Sequence, residues 1–236
     1  RHNSVFLSTL ALVFFFHTSP LTHMFSSVQD YVSKLNGTRP IRKILVANNG
    51  CAAAKGIRSI RRWAYETFGN ERAIKFVCMA TPEDIGANAE YVALADEIQH
   101  VPGGPSANNY SNIKLIVDIA EKTNADAVWP GWGHASENPE LPLALDKTKH
   151  KIKFIGPRPL PMQVLGDKIS SSIIAESANV PTMPWSGSGV RCENPLDISD
   201  ELFDQACVHS LEQAKASAAK VGYPLMVKAS EGGGGK

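Results

Sequence analysis

The segment with the clearest chemical signature is VKASEGGGGK, in which Lys228 precedes Gly232, Gly233, Gly234 and Gly235. Glycines lack Cβ, so their consecutive N–H groups can approach an anion closely and form a concavity around it. A lysine ahead of them adds a compact cation suited to phosphate. A flexible turn is the plain alternative, and an apolar run leading into Lys228 weighs against it. The segment is not a Walker loop, because G-x-x-x-x-G-K would need glycine where Ser230 stands. Nor does a dinucleotide fingerprint occur elsewhere: the first apolar run is followed by NNGCAAAKG, not G-x-G-x-x-G.

A second segment, PGWGHASENPELP, holds Trp132, His134, Glu137 and Asn138 between glycines and prolines. Such a loop serves either as a binding surface or as a structural loop whose tryptophan plugs the core. His134 by itself reads as a hydrogen-bonded structural histidine rather than a catalyst. Lys168, in LGDK at the head of a helix, would by itself be a solvated lysine. Arg58, Arg61 and Arg62 are most simply a solvated helix face. Cys51, Cys78, Cys192 and Cys207 form no C-x-x-C pair, which favours reduced thiols over a disulfide framework or zinc site.

These residues must be held by alternating strands and helices. Short apolar runs at Ile44–Ala47, Ile74–Ala80, Glu97–Val101, Ala127–Trp129 and Lys153–Ile155 predict five strands. Helical spacing links them: Ala53, Ile57, Ile60, Ala64 and Phe68 mark one helix, Ala87–Ala95 another, and Ile113, Ile116, Ile119 and Ala120 a third. The expected fold class is α/β, an open parallel sheet with helices on both faces over about residues 40–160. Ligands of such sheets bind beyond the carboxyl ends of the strands, so the loops after Ala47, Ala80 and Trp129 share one functional edge. Further on, helices are expected at Lys168–Ala178 and Leu211–Ala219, with a polar insert at Arg191–Ser210. Pro224–Ala229 is expected to be a strand leading into the glycines.

The bulk properties exclude several classes. Net charge is +1, so nothing calls for a nucleic-acid partner. The apolar run Ser4–Phe16 is too short to span a bilayer comfortably, which takes about 20 residues. It has the size of a signal-peptide core, so it reads as a signal or membrane-anchoring leader, as an ordinary buried or disordered extension, or as a gene-prediction artefact. The chain begins with Arg1 and stops at Lys236 inside the glycine loop, so it is expected to be truncated.

Across Arg39–Lys236 the motifs resemble the biotin carboxylase component of the eukaryotic multidomain acetyl-CoA carboxylases, members of the ATP-grasp superfamily. The matching stretches include KILVANNG (43–50), IRSIRRWAYETFGNERAIKFV (57–77), MATPEDIGANAEY (79–91), AVWPGWGHASENPELP (127–142), LGDKISSSIIAE (165–176), VPTMPWSGSG (180–189) and GYPLMVKASEGGGGK (222–236). Cys51 and Gly56 stand where the family pattern has larger or aliphatic residues, and Pro105–Ala107 replaces an asparagine-rich stretch.

Residues 1–38, outside the resemblance, are expected to be an apolar leader or extension. The resemblance implies a biotin carboxylase N-terminal (pre-ATP-grasp) domain at 39–160 and the start of an ATP-grasp domain at 161–236, truncated in the glycine-rich loop. It implies a ligase that uses ATP, Mg²⁺ or Mn²⁺ and bicarbonate to carboxylate biotin held on a carrier domain. A carboxyltransferase domain then passes the carboxyl group to acetyl-CoA, giving malonyl-CoA for fatty-acid synthesis. Lys168 and Lys228 resemble the lysines that contact ATP phosphates, and Gly232, Gly233, Gly234 and Gly235 the start of a lid over them. Trp132 and Glu137 lie in a loop that resembles the one facing biotin. The metal-binding glutamates, the bicarbonate-binding arginine and the general base would all lie beyond position 236. The chain alone is therefore not expected to carboxylate biotin. The family further implies a cytoplasmic homodimer. The alternatives are a non-catalytic dimerisation or regulatory module, and another ATP-grasp ligase such as a carbamoyl-phosphate synthetase.

Overall fold

The structure, a computed structural model, describes residues 25–194 and 198–229. The apolar run at 4–16 and the glycines at 232–235 lie outside the described residues. The chain opens with α1 (Val28–Lys34), β1 (Lys43–Val46), α2 (Gly50–Phe68) and β2 (Lys75–Ala80). Two short helices, α3 (Pro82–Gly86) and α4 (Glu90–Leu94), lead to β3 (Glu97–His100). Then come α5 (Ile113–Lys122), β4 (Ala127–Trp129), α6 (Glu140–Asp146) and β5 (Lys153–Phe154). The remaining helices are α7 (Pro159–Gly166), α8 (Lys168–Ser177), α9 (Asp200–Ala206) and α10 (Leu211–Val221).

The five strands form one sheet in the order β3-β2-β1-β4-β5, with every pairing parallel. The expected α/β class and parallel sheet are both present. β1 sits at the centre, and Ile44, Leu45 and Val46 are at most 3% exposed. Burial on both faces is why the strand is a continuous apolar run instead of an alternating one. The pleat sends neighbouring residues to opposite faces. Ile44 and Val46 join Ala53, Ala54, Ile57 and Ala64 of α2. Leu45 and Ala47 join Ile116, Ile119 and Ala120 of α5 and Leu141 and Leu145 of α6. Each fully buried side chain of this size contributes roughly 1.5–3 kcal/mol.

Helix α2 corrects one expectation. Arg61 does not belong to a solvated face: it is 8% exposed and shares the buried stripe with Ile57, Ala64 and Phe68. Its Nη2 donates to the Leu94 carbonyl at 2.7 Å and to Asp96 Oδ2 at 3.2 Å. Asp96 also accepts from the Phe76 N–H at 2.9 Å and pairs with Arg72. The carboxylate thus ties α2 and the end of α4 to the start of β2. Arg62 does lie on the solvent side, paired with Glu66 at 2.9 Å; Arg58, also exposed, pairs with Glu90. Gly56 has a packing reason to be small. A Cβ there would lie 2.6 Å from the Trp129 ring, so the indole occupies the space that a larger residue would fill.

Three other segments differ from expectation. The helix predicted over Ala87–Ala95 is two helices. Thr81 caps the first in a capping box with Asp84, with Pro82 in its first turn, so it starts early. Asn88, at φ +50°, ends it in a left-handed conformation that few non-glycine residues adopt. Pro224–Ala229 is not a strand: no ladder pairs with it among the described residues, and Met226 and Val227 are 77% and 87% exposed. An apolar run becomes a strand only where a neighbour takes its backbone hydrogen bonds. Helix α1, inside the region set aside as leader, packs on the sheet domain through Tyr31, whose ring lies 5.4 Å from Trp63 and 5.9 Å from Phe68.

Candidate functional site

The chain places β2 and β3 on one side of β1, and β4 and β5 on the other. The strand order therefore reverses between β1 and β4. At such a switch point the loops leaving the strands diverge and open a crevice at the carboxyl edge. The loops after β1, β2 and β4 meet there, as their spacing predicts.

Asn48, at the end of β1, is 2% exposed and acts as a clamp. Its amide donates to the Pro130 carbonyl at 2.6 Å and the Trp132 carbonyl at 2.7 Å. Its own Oδ1 accepts from the Asn49 N–H at 2.8 Å. The loop after β4 is thus fastened to β1. It bends through three left-handed residues: Gly131 at φ +63°, Gly133 at φ +71° and His134 at φ +50°.

Behind the loop stands a polar network. The Asp84 carboxylate accepts from Thr81 Oγ1 at 2.6 Å and from the Tyr110 hydroxyl at 2.7 Å. Tyr110 gives its proton to Asp84, so the Tyr91 hydroxyl, 2.9 Å away, donates to Tyr110. Asn49 Nδ2 donates to Asp84 Oδ1 at 3.3 Å, and Asn49 Oδ1 lies 3.2 Å from His134 Nε2. Burial opposes ionisation of Asp84, but its hydrogen bonds from Thr81 and Tyr110 outweigh that and hold the carboxyl below its ordinary value. Burial raises both tyrosines, so they are neutral donors. Burial also lowers His134, against the opposing pull of Asp84. The adjoining loop after β3 is held by Glu83, which accepts from the Gly104 N–H at 3.1 Å.

The structure places the sequence-predicted residues as follows. Trp132 and Glu137 are both on the loop after β4 and both exposed; Trp132 is 81% exposed, so it does not plug the core. Trp129 fills that role against Gly56. Lys168 opens α8 behind its cap Asp167 and is half-buried. Lys228 is exposed in the segment after α10. Asn48, Asn49, Asp84 and Tyr110 were not singled out by sequence. The T-P-E-D spacing of the capping box was the available signal for Asp84. The four cysteines are free, and burial pushes the Cys78 thiol up to about 12, which makes it inert.

A separate loop, residues 180–190, is organised by Glu176. Its carboxylate accepts from the Gly189 N–H at 2.8 Å and Trp185 Nε1 at 2.7 Å. The Gly189 bond, followed by that from Trp185, lowers the Glu176 pKa. A carboxylate depressed on folding contributes stability in full above its unfolded value, about 4.3, and loses it as pH falls through the lower folded value. The loop is expected to hold at neutral pH and loosen below about pH 4. Fluorotryptophan NMR of Trp185 checks this: its signal should shift in acid, and Glu176→Gln should show the acid-like signal already at neutral pH. An acid shift unaffected by Glu176→Gln would assign the change to another group.

An open parallel sheet with a polar network at its carboxyl edge is the architecture of α/β domains, whose ligands bind at that edge. Residues 40–162 match the family model "Biotin carboxylase, N-terminal domain". Residues 198–236 match "Carbamoyl-phosphate synthase L chain, ATP binding domain". The chain is 56% identical over 211 residues to acetyl-CoA carboxylase of Dictyostelium discoideum, and 58% identical over 214 residues to acetyl-CoA carboxylase 1 of Arabidopsis thaliana. Each alignment covers 89% of this chain and 9% of the relative, so the chain spans about a tenth of the length of these relatives. Among solved structures it is similar to the biotin carboxylase domain dimer of 2-oxoglutarate carboxylase from Hydrogenobacter thermophilus, in complex with MgADP, ADP and bicarbonate. That similarity has a TM-score of 0.66 at 31% identity and covers 84% of this chain and 37% of that one. The chain belongs to the biotin carboxylase family, and these curated relatives within it are acetyl-CoA carboxylases.

Proposed function

We propose that the protein containing this chain carboxylates biotin with bicarbonate and ATP, as the first half-reaction of an acetyl-CoA carboxylase that forms malonyl-CoA. The observation that carries this is the 56–58% identity to acetyl-CoA carboxylases over 89% of the chain. The solved relative with MgADP and bicarbonate supports the same choice of substrates. Residues 39–160 form the N-terminal domain in this proposal, and 161–236 begin the ATP-grasp domain. Lys168 and Lys228 contact ATP phosphates, Gly232–Gly235 close over them, and Trp132 and Glu137 face the biotin side. Biotin arrives on a carrier domain, a carboxyltransferase domain uses the product, and the whole protein is a homodimer in the cytosol. No described helix is long and apolar enough to cross a membrane.

The metal is a partner of the nucleotide. No group of three or more His, Cys, Asp or Glu that could hold a metal stands together among the described residues. What this stretch supplies is cationic contact to phosphate. Loss of one charge-assisted hydrogen bond costs about 1.5–3 kcal/mol, or roughly 10–150-fold in rate. Lys228→Ala in the full-length protein is expected to lower kcat/KM for ATP by that factor in a bicarbonate-dependent biotin carboxylation assay. A rate unchanged by the substitution removes Lys228 from the phosphate site. Absence of biotin carboxylation in the unsubstituted full-length protein rejects the function.

A further inference from the structure

We infer that Asp84 is a positioning residue: through Asn49 it holds His134 as the Nε2–H tautomer, leaving Nδ1 to accept a hydrogen bond from the N–H edge of a planar heterocycle. An ionised carboxylate accepts only. Asn49 therefore turns its NH₂ group, not its oxygen, to Asp84 Oδ1 at 3.3 Å. The amide oxygen is then the atom that faces His134 Nε2 at 3.2 Å. An amide oxygen also accepts only, so the imidazole proton sits on Nε2 and Nδ1 keeps its lone pair. Nδ1 makes no hydrogen bond among the described residues, and His134 is exposed.

Asp84 reaches His134 by a second arm. It anchors the Tyr110 hydroxyl at 2.7 Å, and the Tyr110 ring lies 5.2 Å from the imidazole at 42°. His134 keeps φ +50°, a left-handed conformation that persists in a non-glycine residue only where its surroundings enforce it. Trp132, two residues earlier on the same loop, is 81% exposed. A flat apolar face and an acceptor on one loop suit a planar ring with an N–H edge. This rests on the proposed function, under which two substrates carry that chemistry: the adenine of ATP and the ureido ring of biotin.

Long-range ¹H–¹⁵N correlation spectra of the 236-residue chain, ¹⁵N-labelled at histidine, read the tautomer directly. At neutral pH His134 is expected to be Nε2–H, and its signal to be identified by its loss in His134→Asn. Asp84→Ala should give a mixture of tautomers. Asn49→Ala, which leaves Asp84 and Tyr110 joined, should do the same if Asp84→Ala fails to fold. A wild-type Nδ1–H tautomer, or a pure Nε2–H tautomer in both variants, overturns the inference. In the full-length protein, His134→Ala should raise KM by roughly 2- to 12-fold with kcat little changed, the loss of one neutral hydrogen bond. His134→Asn, which puts an acceptor near the position of Nδ1, should restore it. A rise in KM for biotin identifies the ureido ring, and a rise in KM for ATP identifies adenine. Unchanged KM for both, in a protein that carboxylates biotin, overturns the inference. A wild-type protein that carboxylates no biotin refutes the proposed function instead, and the tautomer is still read without activity.

Discussion

Asp96→Ala is expected to destabilise the chain by about 3–5 kcal/mol, the cost of breaking a buried ion pair from one side. Asp96 and Arg61 have side chains only 11% and 9% exposed, so the guanidinium left behind cannot recover its hydration. The Leu94 carbonyl remains to Arg61, with Glu71 further off at 3.7 Å. The Phe76 N–H loses its acceptor as well. Asp96→Asn should cost less, because an amide oxygen can still accept from Phe76. The pair is not fully satisfied even in the native protein: Arg61 Nε has no hydrogen-bond partner among the described residues. An apolar replacement of both residues, Arg61→Met with Asp96→Leu, should therefore recover much of the loss. Chemical denaturation of the four species checks this. A double variant as unstable as the sum of the two singles would show that Asp96 acts through something other than Arg61.

The second large effect is expected at Gly131. A Cβ there would lie 2.9 Å from Asn48 Nδ2 and 3.0 Å from the Trp129 ring, at φ +63°. The left-handed backbone alone costs an L-residue about 1–2 kcal/mol. Displacing the Asn48 amide adds the loss of its bonds to the Pro130 and Trp132 carbonyls, about 1–3 kcal/mol if these stay buried. Gly131→Ala should thus lose roughly 2–5 kcal/mol. Gly133→Ala is the control: φ is +71°, but nothing lies within 4 Å of its Cβ, so only the backbone strain applies. Thermal or chemical unfolding separates the two. Equal losses would mean that the contact with Asn48 carries no weight. Combined with Asn48→Ala, the Gly131→Ala loss should fall towards that of Gly133→Ala.

Much of the sheet domain was legible because its elements are strongly periodic. The strand at Ala127–Trp129 was read residue for residue, and the apolar spacing of α2 and α5 placed both helices. The burial of Arg61 runs against its residue type. Its position, four after Ile57 and seven before Phe68, puts it on the buried stripe, and only its ion partner at Asp96 makes that burial tolerable. The short helices α6, α7 and α9 are too brief to show a period, and tertiary contacts and caps decide them. In the site, glycines and lysines advertise phosphate chemistry by composition. The Asp84 network does not, because Asn49, Asp84, Tyr110 and His134 are far apart in sequence and the sheet edge alone brings them together.

The Asn48 clamp has a thermodynamic corollary. The loop after β4 is already immobilised by two hydrogen bonds to one buried amide. Its conformational entropy is therefore surrendered when the domain folds, not when a ligand arrives. Binding at this edge begins from a preorganised surface, so the unfavourable entropy of association falls on the ligand and the neighbouring segments, and little of it on this loop.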